Sequence, residues 1–177
     1  MAEAFSNKIS TSVGITTTDT GASVGIGSTN ITGLTITGIA VSDMVVNQHF
    51  RGGTKVYSVG SGIVTVTTTS TNTTAASSQN VSFLGPTTAY TAAAKSILIG
   101  GTFSNLTDNQ VSLYVELFDS SVGAGSNICN DIPVPTGSSF VISDAGKTVV
   151  EVPDEVVVYC DTADAIDVSL SILTGVS

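Results

Sequence analysis

Gln110-Val-Ser-Leu-Tyr-Val-Glu-Leu-Phe118 decides the fold class, because its residues change character at every step. Val111, Leu113, Val115 and Leu117 fall on one side of an extended chain, and Ser112, Tyr114 and Glu116 on the other. A strand with one buried face reads this way. Glu155–Asp161 and Ala165–Leu173 repeat the pattern, and in the latter Ile166, Val168, Leu170 and Ile172 interleave with Asp167, Ser169, Ser171 and Leu173. Asp161-Thr-Ala-Asp-Ala165 separates these two runs as a hairpin connection would. The chain is therefore expected to be all-β, with an antiparallel sandwich at its centre.

Around these runs, residues 96–177 read as about seven strands: Ser96–Phe103, Gln110–Phe118, Asn127–Asn130, Ser138–Ile142, Lys147–Val152, Glu155–Asp161 and Ala165–Leu173. Turn chemistry lies between them in Ser104–Asn109, Gly123-Ala-Gly125, Pro133–Gly137, Ser143–Gly146 and Pro153-Asp154. Short strands with turns at this spacing are the signature of a sandwich.

The first half is less regular. Residues 1–28 are rich in Thr, Ser and Gly, with Ser-Val-Gly-Ile occurring twice, and are expected to form an extended arm. Residues 29–84 are expected to be a small N-terminal β module. Within it Val56 and Val59 flank Tyr57, Gly60-Ser-Gly62 turns the chain, and Ile63–Thr69 returns as a β-branched strand. Thr71–Gln79 has no period and reads as a loop, followed by a short strand over Asn80–Leu84. Residues 85–95, opening with Gly85-Pro86, are expected to link the module to the sandwich.

Composition narrows the function. The 177 residues are 41% hydrophobic, enough for a real core, while only 11% are charged. Ser, Thr, Asn and Gly must therefore cover the surface. The net charge is −9, and it is unevenly placed: residues 1–95 carry +1 and residues 96–177 carry −10. With no basic stripe to neutralise phosphates, nucleic acid is not an expected partner. No run of eighteen apolar residues is present, so no membrane partner is expected either. The N-terminal residues carry neither a basic nor an apolar signal region, which leads to the expectation of synthesis in a host cytoplasm without a signal peptide.

Two stretches resemble virion proteins. Residues 40–70, in particular Val56-Tyr-Ser-Val-Gly-Ser-Gly-Ile-Val-Thr-Val66, resemble a small β module of tail fibres and other particle proteins of tailed bacteriophages. Residues 96–177 resemble a virion domain of tailed phages, notably marine T4-like ones. The resemblance is carried by Ser96–Leu106, Val111–Asp119, Ile132–Ser139, Lys147–Asp154 and Asp167–Ser171. Pro153-Asp154 stands where that pattern has Gly-Asp. The resemblance implies a non-enzymatic structural protein located on the virion, with other virion proteins as partners and a homo-oligomeric state. Small size, absence of heptads and a long N-terminal segment favour a capsid decoration or cement protein held to the major capsid protein. A neck, tail or baseplate component is the alternative, and a carbohydrate-binding adhesive module a more distant one.

No catalytic, cofactor-binding or metal site is expected. Cys129 and Cys160 fall on predicted strands and read as free core thiols, although a pairing is open. His49 has no second His and no Ser or Cys context. Asp154, Glu155, Asp161, Asp164 and Asp167 lack the spacing and central Gly of a calcium loop. Val24-Gly-Ile-Gly27 lacks the helix and Lys of a phosphate loop. Asn30, Asn72, Asn80 and Asn105 each open an Asn-x-Ser/Thr sequon.

Overall fold

The computed structural model describes residues 3–143 and 147–176, and within them every regular element is a strand. The chain divides into two compact units, one of residues 1–14 and 87–177 and one of residues 15–86.

The first unit contains β1 (Ala4–Val13), then, after the second unit, β8 (Thr87–Thr91), β9 (Ser96–Asn105), β10 (Val111–Asp119), β11 (Ala124–Val134), β12 (Ser139–Ile142), β13 (Thr148–Val150), β14 (Glu155–Cys160) and β15 (Ile166–Thr174). The pairing is nested. β1 pairs with β15, β8 with β14, β9 with both β12 and β13, and β10 with β11, all antiparallel. The whole unit is thus a long hairpin, strands at its open end pairing first with last. Rolling it up adds β15 beside β9 and β14 beside β10. Two sheets result, β1-β15-β9-β12/β13 and β11-β10-β14-β8, an eight-position jelly-roll sandwich in which β12 and β13 share one position.

Its core is what the alternation predicts. Leu98, Phe103, Val168, Leu170 and Ile172 from one sheet meet Val111, Leu113, Val115, Val156, Val158 and Cys160 from the other, all buried. At about 1.5–3 kcal/mol for each fully buried aliphatic side chain, this cluster is the main source of the unit's stability. All seven strands expected over residues 96–177 are present. The turn expected over Ser143–Gly146 lies mostly outside the described residues.

The boundaries of the units differ from those expected. Residues 1–28 are not a free arm: β1 is an edge strand of the sandwich, and the chain then enters β2 (Ile15–Val24) of the second unit. Gly14 is the break between them. Its φ is +137°, and a Cβ there would strike the Thr162 carbonyl oxygen, so glycine is required for the chain to leave the sheet. Residues 85–95 are not a linker either. Gly85 ends β7 (Ala76–Gly85), Pro86 follows, and β8 begins at Thr87. The sandwich therefore extends beyond 96–177, and the N-terminal module, expected as 29–84, spans 15–86 and is inserted between the first two sandwich strands. β7 also absorbs part of the loop expected over Thr71–Gln79.

The inserted unit holds β2, β3 (Asn30–Thr32), β4 (Met44–Val46), β5 (Val56–Gly60), β6 (Ile63–Val66) and β7, in the order β4-β7-β2-β3-β6-β5. The two ends of that order meet. Val45 N donates to Thr54 O at 2.8 Å, Val56 N donates to Asp43 O at 2.9 Å, and Met44 bridges Lys55, so the sheet closes into a small barrel. The expected hairpin is present, with Gly60 opposite Ile63. Ile31, Val45, Val56, Val64, Val81 and Phe83 fill the interior.

Candidate functional site

The residues singled out by sequence are dispersed. Cys129 pairs with Val115 on one side of β10, and Cys160 pairs with Leu113 on the other. Two inter-strand spacings, about 10 Å, separate them, too far for a disulfide. Both are free, buried thiols. Burial pushes the Cys129 thiol up, and burial with the Asp161 charge pushes Cys160 up to about 11. A thiol so held is protonated at neutral pH and is a poor nucleophile.

The acidic cluster of the sequence is not a cluster in space. Asp154 and Glu155 stand at one end of the six-residue β14 and Asp161 at the other, roughly 20 Å away. Four of the five carboxylates accept hydrogen bonds close by. Asp154 accepts from Ser120 N at 3.2 Å, and Glu155 accepts from the Thr88 and Thr91 hydroxyls at 3.2 and 3.3 Å. Asp161 accepts from Ser112 N at 2.9 Å, and Asp167 from Ser12 N at 2.9 Å. Asp164 occupies a left-handed turn position, φ 51°. Among the described residues no three His, Cys, Asp or Glu side chains converge as metal ligands would.

His49 touches Gln48, Nε2 to Nε2 at 3.3 Å. The Gly-rich Val24–Gly27 is the turn from β2 to β3, where Ser28 N donates to Gly25 O at 3.4 Å. Asn105 is buried and donates to the carbonyls of Asn109, Val134 and Pro135 at 2.7, 2.9 and 3.2 Å, so its side chain braces two loops.

One arrangement was not foreseen. On the β10 face directed away from the core, Tyr114 and Glu116 are 3% and 2% exposed rather than solvated. The Tyr159 hydroxyl donates to Glu116 Oε2 at 2.9 Å, and the Tyr114 hydroxyl donates to Asp131 Oδ1 at 3.2 Å. Burial and the neighbouring Asp131 carboxylate push the Tyr114 hydroxyl well above the usual tyrosine range. Gly125 on β11 makes room for the Glu116 carboxylate, which a Cβ there would overlap. The sequence signal was that glycine, read only as part of a turn.

In the barrel, Asp19 is a buried tie. Its carboxylate accepts from Gly21 N at 2.7 Å, Thr35 N at 2.8 Å and Thr35 Oγ1 at 3.1 Å, and the Thr35 backbone bond leads the contacts that hold it below the usual carboxylate range. An open cleft of about 380 Å³ lies between residues 34–39 and the β5–β6 hairpin, lined by Leu34, Ile36, Ile39, Val59, Ile63 and Val64 among others, and no ionisable side chain faces it.

The surfaces offer more than the cavities. All of the net charge sits on the sandwich unit: residues 1–14 and 87–177 carry twelve acids against Lys8, Lys95 and Lys147, while Asp19 and Asp43 balance Arg51 and Lys55 in the barrel. Yet the outer face of β1-β15-β9-β12/β13 is almost uncharged. Phe5, Leu173, Ile97 and Val149 form an apolar row across all four strand positions, and a second row, Ile9, Ser169, Thr102 and Val141, is uncharged with apolar side chains at its two ends. Phe5 and Ile9 are 79% and 72% exposed. Exposed apolar patches are a feature of surfaces that make macromolecular contacts. No protein-family model, no curated protein and no solved structure matches the chain.

Proposed function

We propose that the protein is a non-enzymatic structural component of a tailed-phage virion, a decoration or cement protein of the capsid surface. In this reading the neutral barrel holds the shell and the acidic sandwich faces solvent. The observation that carries it is the partition of charge: zero net on residues 15–86 and −9 on the remainder. Copies arrayed densely on a particle repel least when their charge lies where salt screens it, over a Debye length of about 8 Å at physiological ionic strength. The virion-domain resemblance of residues 96–177 supports the same reading, as does a jelly-roll sandwich, an architecture used in capsid and lectin domains. Barrel attachment would use exposed apolar side chains such as Tyr57 and Val59, 70% and 46% exposed.

The test is quantitative mass spectrometry of purified particles, combined with pelleting of the full-length chain on particles stripped of it. A copy number in the hundreds and loss of pelleting with Tyr57→Glu are expected. A copy number matching a single ring would move the protein to the neck, tail or baseplate. Absence from particles together with retention on a glycan array would replace the reading with the adhesive-module one.

A further inference from the structure

The sandwich has four sheet edges, and three of them carry features that discourage a further strand. β12 and β13 are four and three residues long, and β8 is five. β11 is long but twice irregular in register, with Asp131 at φ 53° and Pro133 in its run. Short strands, bulges and proline are the ordinary means of blunting an edge. The fourth edge, β1, has ten residues and, among the described residues, β15 as its one strand neighbour. Its pairing is regular from Ala4 to Ser10 and breaks only after Ser10. Lys8 is its single charge.

The regular segment is symmetric about its middle. Ala4–Ser10 centres on Asn7, with Phe5 and Ile9 equidistant from it and on the same, outward face. We infer that β1 pairs antiparallel with β1 of a second copy about a two-fold axis at Asn7, joining two four-position sheets into one continuous sheet. That axis sets Phe5 against Ile9 of the second copy, and Ile9 against its Phe5, two aromatic–aliphatic cross-strand pairs on the outer face. Ala4 then meets Ser10, Ser6 meets Lys8, and Asn7 meets Asn7. No like charges are opposed. A two-fold contact must be self-complementary in this way, and a strand paired with itself satisfies the unmet backbone groups of both copies.

Charge argues for the same occupant. Each sandwich unit carries −9, so a second copy is repelled wherever acids face it. The β1 edge, with one cation and no acid between Ala4 and Val13, is where that repulsion is least. An acceptor peptide of another protein would not require the Phe5–Ile9 symmetry. The inference does not depend on the virion reading, since it concerns the isolated chain in solution.

The experiment is sedimentation of the full-length chain over a range of concentrations, with Phe5→Lys and Ile9→Lys as variants. Both positions are so exposed that the monomer fold tolerates the change. A reversible dimer is expected, weakened on the order of tenfold or more by either lysine. Asn7→Cys adds a positional test: this variant should oxidise to a disulfide-linked dimer, whereas Thr68→Cys, on the barrel, should not. A chain that stays monomeric at millimolar concentration overturns the inference. So does a dimer indifferent to both lysines, a higher oligomer, or an Asn7→Cys variant that does not cross-link.

Discussion

The barrel and the sandwich are made from similar β-forming material and deal with their strand edges in opposite ways. The barrel, with the smaller core, mostly Val with Ile31, Leu34, Phe50 and Phe83, and no net charge, closes its sheet on itself through Val45, Thr54 and Val56. The sandwich has the larger core and the acids, and it leaves edges. Ring closure helps make a unit with a small core viable by satisfying backbone groups, whereas the sandwich rests on area buried between its sheets. The difference also explains why one half of the sequence was easy to read and the other was not.

The strongest way to break this comparison is to cut the chain at the two kinds of boundary. Ile15 is the Cα partner of Gly85, so the barrel's entry and exit lie side by side. Replacing residues 15–86 by a short glycine turn should leave a folded sandwich. Residues 96–177 alone should not fold stably, because β1 and β8 are lost, and with them Val13, Tyr90 and Ala92 of the core. Dispersed amide spectra from the barrel-deleted chain and collapsed ones from the 96–177 fragment are expected. A fully dispersed 96–177 fragment would show that the nested outer pairs are dispensable.

Next in size are truncations of equal kind in the two cores. Phe83→Ala should cost about 3–5 kcal/mol, a large part of the stability of a small unit, and unfold the barrel while β10 and β14 stay protected from amide exchange. Leu170→Ala, against Gly101 and Phe103, should cost about 2–5 kcal/mol and lower the sandwich melting point, whereas Ser171→Ala on the outward face should do little. Equal shifts at 170 and 171 would contradict the face assignment.

That assignment was legible because β10 and β15 alternate in sequence with a period of two, whereas β14, Glu-Val-Val-Val-Tyr-Cys, is buried on both faces from Val156 to Cys160 and does not alternate as expected. β1 was not legible, since its core-side positions are Ser6, Lys8 and Ser10 while Phe5 and Ile9 look outward. An inverted pattern reads as no strand at all until its partner is known. β8, Thr-Thr-Ala-Tyr-Thr, and the start of β7, Ala-Ser-Ser-Gln, have too few large apolar residues to show any period. Tyr114 and Glu116 were placed on the correct face, but the burial of Glu116 depends on a missing side chain at Gly125, which alternation cannot reveal. The singled-out acids stand apart because chain neighbours such as Asp154 and Asp161 are sent to opposite ends of one strand.

A smaller effect separates the two units by pH. Asp19 in the barrel is held below its usual range, so it contributes stability above the unfolded carboxylate pKa of about 3.9 that is lost as pH falls through its folded value. Asp43, pushed up by burial, acts in the other direction. Asp19→Ala should cost about 1–3 kcal/mol at neutral pH, the desolvation of the donors it leaves. The melting point of the barrel in Asp19→Asn should fall less steeply with acid than in the parent chain. A parallel fall in both would assign the acid sensitivity elsewhere.

The smallest effect at neutral pH belongs to the sandwich thiols. Cys160 lies with its thiol in the core between two packed sheets, and its folded pKa, about 11, exceeds the unfolded value of about 8.5. A group raised in this way favours the folded state while both states are protonated, and the advantage is lost as pH climbs from the unfolded value towards the folded one. Stability should thus be flat through neutrality and decline only in alkali, with Cys129, also raised, adding to the decline. Native chain at pH 8 should take up no alkylating reagent, and denatured chain two equivalents, one for each thiol. Rapid native labelling of either cysteine would mean that the sandwich opens at β11 or β14, and that its core, rather than the barrel's, is the weaker of the two.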